Sequence, residues 1–289
     1  MKTNFNVIGV VPARYASTRF SHKLLRSLGG KTLLQWTWEA ASLAHTLDKL
    51  IIACDHPDVK KAAEEFGAQT VLTSSEHKSG TDRIAEAVRD IDTKIVINIQ
   101  ADEPLINSSV IDRLTQEMQS NPSLVMATAK KKIEQREEII DPNVVKVVCD
   151  REDFAVYFSR LPMPYYRQDS VEPEKTNLPP ACRMLTKPKP LEGVYYKHLG
   201  IYAYTKDFLF TFKNLPCSSL EKAEKLEQLR AIGAGYKIKV IETQFDSIGV
   251  DTEEDFKQVE KILNKKYGLD SSSPLLEINN EPNVAKPKS

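Results

Sequence analysis

The stretch NVIGVV at residues 6–11 is a continuous apolar run, and a second run, IVINI, follows at residues 95–99. Uninterrupted apolar runs of this length are typical of strands that are buried on both faces of a parallel sheet. Amphipathic helical patterns separate such strands through residue 129. This alternation predicts an α/β fold, with a mainly parallel sheet and helices on both of its faces. The predicted strands are 6–11, 50–53, 70–73, 95–99 and 124–129, and the predicted helices are 32–43, 57–66, 81–89 and 108–120.

The pattern changes after residue 141. Two strands predicted at 144–149 and 154–158 flank the sequence DRED, which is typical of an antiparallel turn. Residues 162–193 are rich in proline and have no clear period, so we expect an extended loop or lid there. The remaining predicted elements are strands 199–204 and 237–243, helices 219–232 and 253–265, and a disordered tail at 269–289.

The composition excludes several classes of protein. Forty basic and forty acidic side chains balance among 289 residues, which argues against a nucleic-acid partner. No apolar run is long enough to span a membrane, and the first residues do not have the pattern of a signal peptide. Four cysteines without a CxxC pair indicate cytosolic thiols, so we expect a cytoplasmic protein without a membrane partner. Only 11 glycines occur, and neither GxxxxGK[ST] nor GxGxxG is present, which removes the commonest P-loop and dinucleotide-binding motifs.

A basic loop follows the first predicted strand. Arg14, Arg19 and Lys23 lie within about a dozen residues, together with two hydroxyl side chains. Such a group of cations can hold a triphosphate without a P-loop, although a solvated basic loop would have the same composition.

The sequence HKSGTDR at 77–83 opens a predicted helix. Ser79 or Thr81 can cap this helix, and Gly80 permits another group to approach the backbone closely. The free N–H groups at such a helix end can bind a phosphate or a base, or the segment can be a plain helix cap.

Two aspartates could hold a divalent cation. Asp102 follows the buried strand IVINI, and Asp251 precedes the last predicted helix. Mg²⁺ prefers one or two carboxylates and completes its shell with phosphates and water. Alternatively, Asp102 could cap a turn, and Asp251 could form a capping box with Glu254. No spacing suggests a nucleophilic triad, so a reaction run by cations and a metal fits better than covalent catalysis.

Eight motifs occur in one order along the chain: PARYASTRF (12–20), HKSGTDR (77–83), NIQADEP (98–104), DPNVVKVV (141–148), YFSR (157–160), HLGIYAY (198–204), LEQLR (226–230) and GVDTEED (249–255). Each motif alone is weak, but the ordered set is specific. Together they resemble the CMP-KDO synthetases, the 3-deoxy-manno-octulosonate (KDO) cytidylyltransferases, over about residues 7–263.

The resemblance implies that CTP and KDO react to give CMP-KDO and pyrophosphate, with Mg²⁺ as the cofactor. It assigns the triphosphate and the departing pyrophosphate to Arg14 and Lys23, and Mg²⁺ to Asp102 and Asp251, and the composition of the basic loop adds Arg19 as a further candidate for the triphosphate. The residues that it places around the cytidine are Ser79, Gly80, Thr81, Arg83 and Gln100. The residues that it suggests for KDO are Arg160, His198, Tyr202, Glu227 and Gln228, with Arg160 suited to the sugar carboxylate.

The resemblance also implies one domain at 1–268 with a smaller lid or dimerisation lobe within about 142–235, a homodimer, and a role in lipopolysaccharide synthesis. A related sugar acid, such as an 8-amino KDO analogue or sialic acid, is an alternative substrate, and an inactive nucleotide-binding relative is a second alternative. The sequence departs from the family pattern at His22 and Ala101, where glycine is usual, and in its long stretch at 171–193.

Overall fold

The computed structural model describes residues 5–16, 22–165 and 195–268. The predicted triphosphate ligand Arg19, the proline-rich stretch at 171–193 and the predicted tail at 269–289 lie outside the described residues.

The described elements follow the predicted alternation. The strands are β1 (Phe5–Ala13), β2 (Ser27–Leu28), β3 (Lys31–Thr32), β4 (Lys49–Cys54), β5 (Gln69–Leu72), β6 (Thr93–Asn98), β7 (Met126–Lys132), β8 (Lys146–Cys149), β9 (Ala155–Ser159), β10 (Tyr196–Thr205) and β11 (Lys239–Thr243). The helices are α1 (Leu33–Ser42), α2 (Pro57–Glu65), α3 (Gly80–Ala87), α4 (Ser108–Ser120), α5 (Arg136–Ile140), α6 (Lys206–Asn214), α7 (Ser219–Glu224), α8 (Leu229–Gly233) and α9 (Glu253–Tyr267). A short 3₁₀ turn at Lys23–Leu25 follows the basic loop.

One sheet organises the chain, with its main strands in the order β11-β7-β10-β6-β1-β4-β5. β1 is parallel to β4 and β6, β4 is parallel to β5, and β7 is parallel to β11. β10 runs antiparallel to both of its neighbours, β6 and β7, and the hairpin of β8 and β9 joins the sheet through β10. The prediction of a mainly parallel α/β sheet is therefore confirmed, with an antiparallel strand inserted beside β6.

The residues of β1 show why the run NVIGVV is apolar throughout. Val7 and Val11 belong to the hydrophobic layer on one face of the sheet, whereas Ile8 and Val10 belong to the layer on the other. All four side chains are almost completely buried. Because successive side chains of a strand point to opposite faces, both faces of β1 must be covered, as the sequence predicts.

The predicted continuous helix at 219–232 is wrong. α7 ends at Glu224, the C-cap residue Lys225 has a left-handed φ of 56°, and α8 begins only at Leu229. Arg230 returns to form a bidentate ion pair with Glu221, at 2.6 and 2.9 Å. Tertiary burial of Leu226 and Leu229 therefore overrides the local helical preference of this charged segment. Helices α5 and α6 were not predicted.

Candidate active site

Lys23 joins the two aspartates that the sequence singles out. Its ammonium Nζ lies 2.6 Å from Asp102 Oδ2 and 2.9 Å from Asp251 Oδ1, and it also donates to the carbonyl of Val250 at 2.9 Å. Burial disfavours the charge on Lys23, but the neighbouring carboxylates, Asp102 foremost, outweigh this and raise the pKa of Lys23. The ammonium is therefore held as a cation between two carboxylates.

The backbone brings these carboxylates together. Asp102 follows the carboxyl end of β6, and the N–H of Val250 donates to the Asp102 carbonyl at 2.9 Å. The alternative of a capping box between Asp251 and Glu254 is wrong, because the box at the start of α9 is formed by Thr252 and Asp255. The Asp251 carboxylate is consequently directed to Lys23 instead of to the helix end.

Two carboxylates that share one cation fit the ligand set that Mg²⁺ uses when phosphates and water complete its shell. Within the described ranges, no group of three or more His, Cys, Asp or Glu side chains could hold a metal ion by itself. A metal at Asp102 and Asp251 would accordingly need further ligands from phosphates or water.

Asp55, which was not predicted as a site residue, holds the start of the basic loop in place. Asp55 directly follows β4, and its Oδ1 accepts the backbone N–H of Tyr15 at 2.8 Å, next to Arg14. Its Oδ2 accepts a hydrogen bond from Arg83 at 2.9 Å. The available signal in the sequence was a carboxylate just beyond the carboxyl end of a buried strand.

Arg83 is fully buried, and its other hydrogen bonds reach the hydroxyl of Thr73 at 2.6 Å and the carbonyl of Ser74. Burial, followed by the nearby charge of Arg14, lowers the pKa of Arg83, while Asp55 opposes this shift. The structure thus places Arg83 beneath the loop as an internal ion pair, in contact with the elements that position Arg14.

A cavity of about 140 Å³ lies beside this edge of the sheet. It brings together residues that the resemblance divides between cytidine and sugar, namely Gly80, Thr81, Gln100, Tyr202, Glu227 and Gln228. Three further lining residues, Asn98, Tyr204 and Phe212, were not selected from the sequence. The cavity therefore lies where the two predicted substrate sites meet.

Hydrogen bonds fix the walls of this cavity. The Thr81 hydroxyl donates to Glu227 Oε2 at 2.6 Å, and Ser79 caps α3 through a reciprocal pair of bonds with Asp82. Burial raises the pKa of the Glu227 carboxyl, although hydrogen bonds from Thr81 and Ser79 oppose the shift. The segment 77–83 therefore caps a helix, and two of its residues, Gly80 and Thr81, also line the cavity.

An irregularity in β10 completes the opposite wall. The register against β7 shifts between Leu199 and Tyr202, and the Thr128 hydroxyl contacts the carbonyls of Leu199 and Ile201 at 3.1 and 2.7 Å. The carbonyl of Gly200 then accepts a hydrogen bond from Gln100 Nε2 at 3.0 Å. A bulge of this kind redirects backbone groups toward a site.

Two predicted sugar ligands, His198 and Arg160, do not line the cavity. His198 Nε2 lies 3.0 Å from the Thr128 hydroxyl, and burial lowers the pKa of the imidazole to about 3, so it is neutral at physiological pH. The Arg160 guanidinium donates to the carbonyls of Glu224 and Pro142, both at 2.9 Å.

The two departures from the family pattern have different structural consequences. His22 adopts a left-handed backbone with φ of 51°, which a glycine would adopt without strain, and its ring contacts that of Tyr15. Ala101 is buried, and its carbonyl accepts a hydrogen bond from Thr37 at 3.0 Å. Ala101 is therefore accommodated in a regular contact, whereas His22 requires an unusual conformation.

A mainly parallel sheet with a cationic loop and paired carboxylates at its edge defines a nucleotidyltransferase, and the family model described as Cytidylyltransferase matches residues 8–239. The chain belongs to the 3-deoxy-manno-octulosonate cytidylyltransferase family within that class. It is 43% identical over 257 residues to the 3-deoxy-manno-octulosonate cytidylyltransferase of Solibacter usitatus. These aligned residues cover 89% of this chain and 94% of the relative. The enzyme of the same name from Bdellovibrio bacteriovorus is 43% identical over 260 residues, covering 90% of this chain and 98% of the relative.

Solved structures agree with this assignment. A CMP:2-keto-3-deoxy-manno-octonic acid synthetase complexed with CTP has a TM-score of 0.79 and 34% identity, covering 90% of this chain and 99% of its own. The 4-diphosphocytidyl-2C-methyl-D-erythritol synthase of Anaerococcus prevotii has a TM-score of 0.54 and 14% identity, over 90% and 98% of the two chains, and so shares the fold. The family resemblance and the fold predicted from the sequence are both confirmed. Among the described helices, none is both long enough and apolar enough to cross a membrane.

Proposed function

We propose that this protein transfers CMP from CTP to KDO, giving CMP-KDO and pyrophosphate. One observation carries the proposal: in a chain of this family, the carboxylates of Asp102 and Asp251 both contact the Nζ atom of Lys23. Nucleotidyl transfer requires positioning and neutralisation of charge more than covalent catalysis, and Lys23, once released to the phosphates, together with a metal ion on the two carboxylates would supply both.

In the proposed reaction the anomeric hydroxyl of KDO attacks the α-phosphorus of CTP. The bond from the α-phosphorus to the bridging oxygen breaks, pyrophosphate leaves with the electron pair, and the proton of the attacking hydroxyl is released to solvent. Arg14, Arg19 and Lys23 would neutralise the triphosphate and the leaving pyrophosphate. Lys23 would exchange its aspartate contacts for phosphate oxygens when CTP binds.

We further propose that Asp102 and Asp251 hold Mg²⁺. That ion would align the substrates and neutralise phosphate oxygens. The two carboxylates already bind the ammonium of Lys23, so the residues present suit a cation.

The cavity supports a polar substrate as the acceptor of CMP. Tyr202, Glu227 and Gln228 would contact KDO there, and Ser79, Gly80, Thr81 and Gln100 would face the cytidine side. Arg160 remains our proposal for the sugar carboxylate, since a guanidinium binds both carboxylate oxygens. His198 would act indirectly by positioning Tyr202, whose ring centroid lies 5.3 Å from that of His198.

The proposal extends to the setting of the enzyme. We propose a cytoplasmic homodimer, with a lid or dimerisation lobe within residues 142–235, that supplies CMP-KDO for lipopolysaccharide synthesis. Size-exclusion chromatography with light scattering tests the oligomeric state, and a monomer at assay concentration would contradict the dimer.

The activity is tested by mixing the protein with Mg²⁺, KDO and each nucleoside triphosphate separately, and by following pyrophosphate release. We expect release with CTP and a higher kcat/KM for KDO than for sialic acid or 8-amino KDO. Tight CTP binding without product from any of these sugars would identify an inactive relative instead.

The metal site is tested with Asp102→Asn and Asp251→Asn. Each should reduce kcat at least about a hundredfold, as loss of a charged group that stabilises a transition state commonly does. Glu254→Gln is the matched control, because Glu254 is an exposed acid three residues from Asp251 and should retain wild-type turnover. Near-normal turnover of both aspartate variants across a Mg²⁺ titration would contradict the two-carboxylate site.

A further inference from the structure

The basic loop contains a histidine at a position where glycine is usual in the family pattern. His22 directly precedes Lys23, and its carbonyl accepts a hydrogen bond from the N–H of Leu25 at 2.9 Å, within the 3₁₀ turn that holds Lys23. The backbone of His22 is left-handed, with φ of 51°, and a residue with a Cβ atom adopts that conformation at a cost. Among the described residues, its imidazole forms no capping hydrogen bond to this turn. Any contribution of the imidazole to the loop therefore comes from contacts outside the turn.

Such contacts join His22 to Tyr15, which lies near the start of the same loop. The ring centroids of His22 and Tyr15 are 4.4 Å apart, and the ring planes are tilted by 51°. The Tyr15 ring also stacks on that of His56, with centroids 3.8 Å apart and planes 11° from parallel. Ring pairs at these separations attract each other beyond the burial of their surface. The three side chains form one ring cluster, which joins the segment of Arg14 to the segment of Lys23.

The ring cluster is attached to the sheet at the carboxyl end of β4. Asp55 and His56 directly follow this strand. Asp55 Oδ1 accepts the N–H of Tyr15 at 2.8 Å, and His56 Nδ1 accepts the N–H of Asp58 at 3.2 Å, at the start of α2. The backbone of Tyr15 is therefore held by one residue beyond β4, and its ring is held by the next.

The residues on either side of the ring cluster are two of the cations proposed to bind the triphosphate. Arg14 is adjacent to Tyr15, and Lys23 is adjacent to His22. Contacts that restrain the two rings consequently restrain the backbone of both cations. A loop that is ordered before its ligand arrives loses less conformational entropy on binding, so its affinity is higher. A glycine at position 22 would adopt the left-handed backbone without strain, but it would supply no ring to hold the loop.

We propose that His22 is a positioning residue whose ring, through Tyr15 and His56, holds Arg14 and Lys23 in the arrangement that binds the triphosphate of CTP. This inference rests on the proposed function and adds to it a residue that the family pattern does not supply. His22 acts through Tyr15 and requires no contact of its own with the nucleotide.

The test compares His22→Asn with the wild type by pyrophosphate release. Asparagine accepts a left-handed backbone but removes the ring, so the variant isolates the ring contact. We expect the KM for CTP to rise about fivefold, which is the effect of losing an aromatic pair of ordinary strength. The KM for KDO should change less than about twofold, because this loop is proposed to bind only the nucleotide. His45→Asn is the matched control and should retain the wild-type KM for CTP, because His45 is an exposed histidine that precedes β4, at the far end of that strand from Asp55.

A double variant distinguishes positioning from direct contact with the nucleotide. Tyr15→Leu alone should raise the KM for CTP by a similar factor, and the double variant with His22→Asn should raise it no further, because both changes break the same contact. Tyr15→Phe keeps the ring and should restore the wild-type KM. Multiplicative effects of His22→Asn and Tyr15→Leu, or a rise in His22→Asn without one in Tyr15→Leu, would show that His22 contacts the nucleotide directly and would overturn the inference.

The outcome for this inference is distinguishable from that for the proposed function. Wild-type protein that releases no pyrophosphate with CTP and KDO contradicts the function, and the same variants are then compared by their Kd for CTP in calorimetry, where the same factors are expected. An unchanged KM or Kd for CTP in His22→Asn overturns the inference. If Tyr15→Leu does not fold, His56→Asn replaces it, because asparagine can cap α2 as His56 does but lacks the stacked ring.

Discussion

Lys23→Met is the perturbation that tests the centre of this site most directly. Methionine keeps a linear side chain in the same space but removes the ammonium that joins Asp102, Asp251 and the Val250 carbonyl. Two carboxylates then face each other without a cation. We expect three results: a less stable protein without metal, a protein that Mg²⁺ stabilises more than it stabilises the wild type, and lower turnover.

The magnitude follows from the exposure of the three side chains. Hydrogen bonds to charged groups contribute about 1.5–3 kcal/mol when buried, and exposed ion pairs contribute about 1 kcal/mol or less. Lys23 is 14% exposed and Asp102 27%, whereas Asp251 is 47% exposed and its contribution must be discounted for screening. The loss is therefore about 2 kcal/mol, which lowers the Tm of a chain of this size by about 3–4 °C.

The pH of the assay does not limit this measurement. Burial opposes the charge of Lys23, but Asp102 and Asp251 raise its pKa above 10.5. A raised pKa in the folded state means that the stabilisation is complete below the unfolded value and is lost only as the pH rises through the folded value. The full difference between wild type and variant is thus present near neutral pH.

The assay is thermal unfolding of both proteins in excess chelator and in saturating Mg²⁺, together with pyrophosphate release. Mg²⁺ should recover part of the lost Tm in Lys23→Met, because its carboxylates no longer bind an ammonium, and turnover should fall about a hundredfold or more. Lys31→Met is the control, since Lys31 pairs with Glu39 at 2.5 Å in a more exposed position. An unchanged Tm in chelator, or equal Mg²⁺ stabilisation of both proteins, would refute the reasoning.

Three further predictions concern the surroundings of the site. Asp55→Asn should lower the free energy of unfolding by about 3 kcal/mol, because it leaves the buried Arg83 charge without its counter-ion. In urea unfolding, the double variant with Arg83→Met should recover part of this loss. Equal stability of Asp55→Asn and the wild type would contradict the prediction. Thr81→Val should raise the KM for KDO about tenfold, because Glu227, the proposed KDO contact, loses a 2.6 Å hydrogen bond, and it should raise the KM for CTP as well, because Thr81 is proposed to face the cytidine; unchanged KM values for both substrates would contradict this. His198 has a folded pKa of about 3, below its unfolded value of 6.5, so its contribution to stability is present above pH 6.5 and is lost as the pH falls. In urea unfolding, the wild type should lose about 1–2 kcal/mol more stability than His198→Gln between about pH 7.5 and pH 5. Parallel losses in the two proteins would contradict the prediction.

Much of the fold was predictable because it depends on local periodicity. The run at 6–11 and the alternation that follows it require a strand with both faces covered, and β1 is such a strand. The helix at 219–232 was not predictable in the same way. Its local pattern is helical throughout, and only the burial of Leu226 and Leu229 and the ion pair of Arg230 with Glu221 explain the break at Lys225.

The candidate site shows the same division. Motif identity pointed to Asp102 and Asp251, and the resemblance assigned them a metal, but a capping box at the last helix was an equally regular interpretation of Asp251. The Thr252 and Asp255 side chains form that box, as only the structure shows. Asp55 lies outside every quoted motif, because its importance comes from its contact with Arg83, which is distant in the sequence.

The sequence by itself determined the class of sheet, the family and most of the polar residues at one edge of the sheet, since periodicity and ordered motifs are properties of the chain. The tertiary structure alone decided that Lys23 meets two aspartates that are 79 and 228 residues away along the chain. It also decided that residues expected to bind two different substrates share one cavity. Contacts over such separations depend on the packing of strands and loops, which no local pattern encodes.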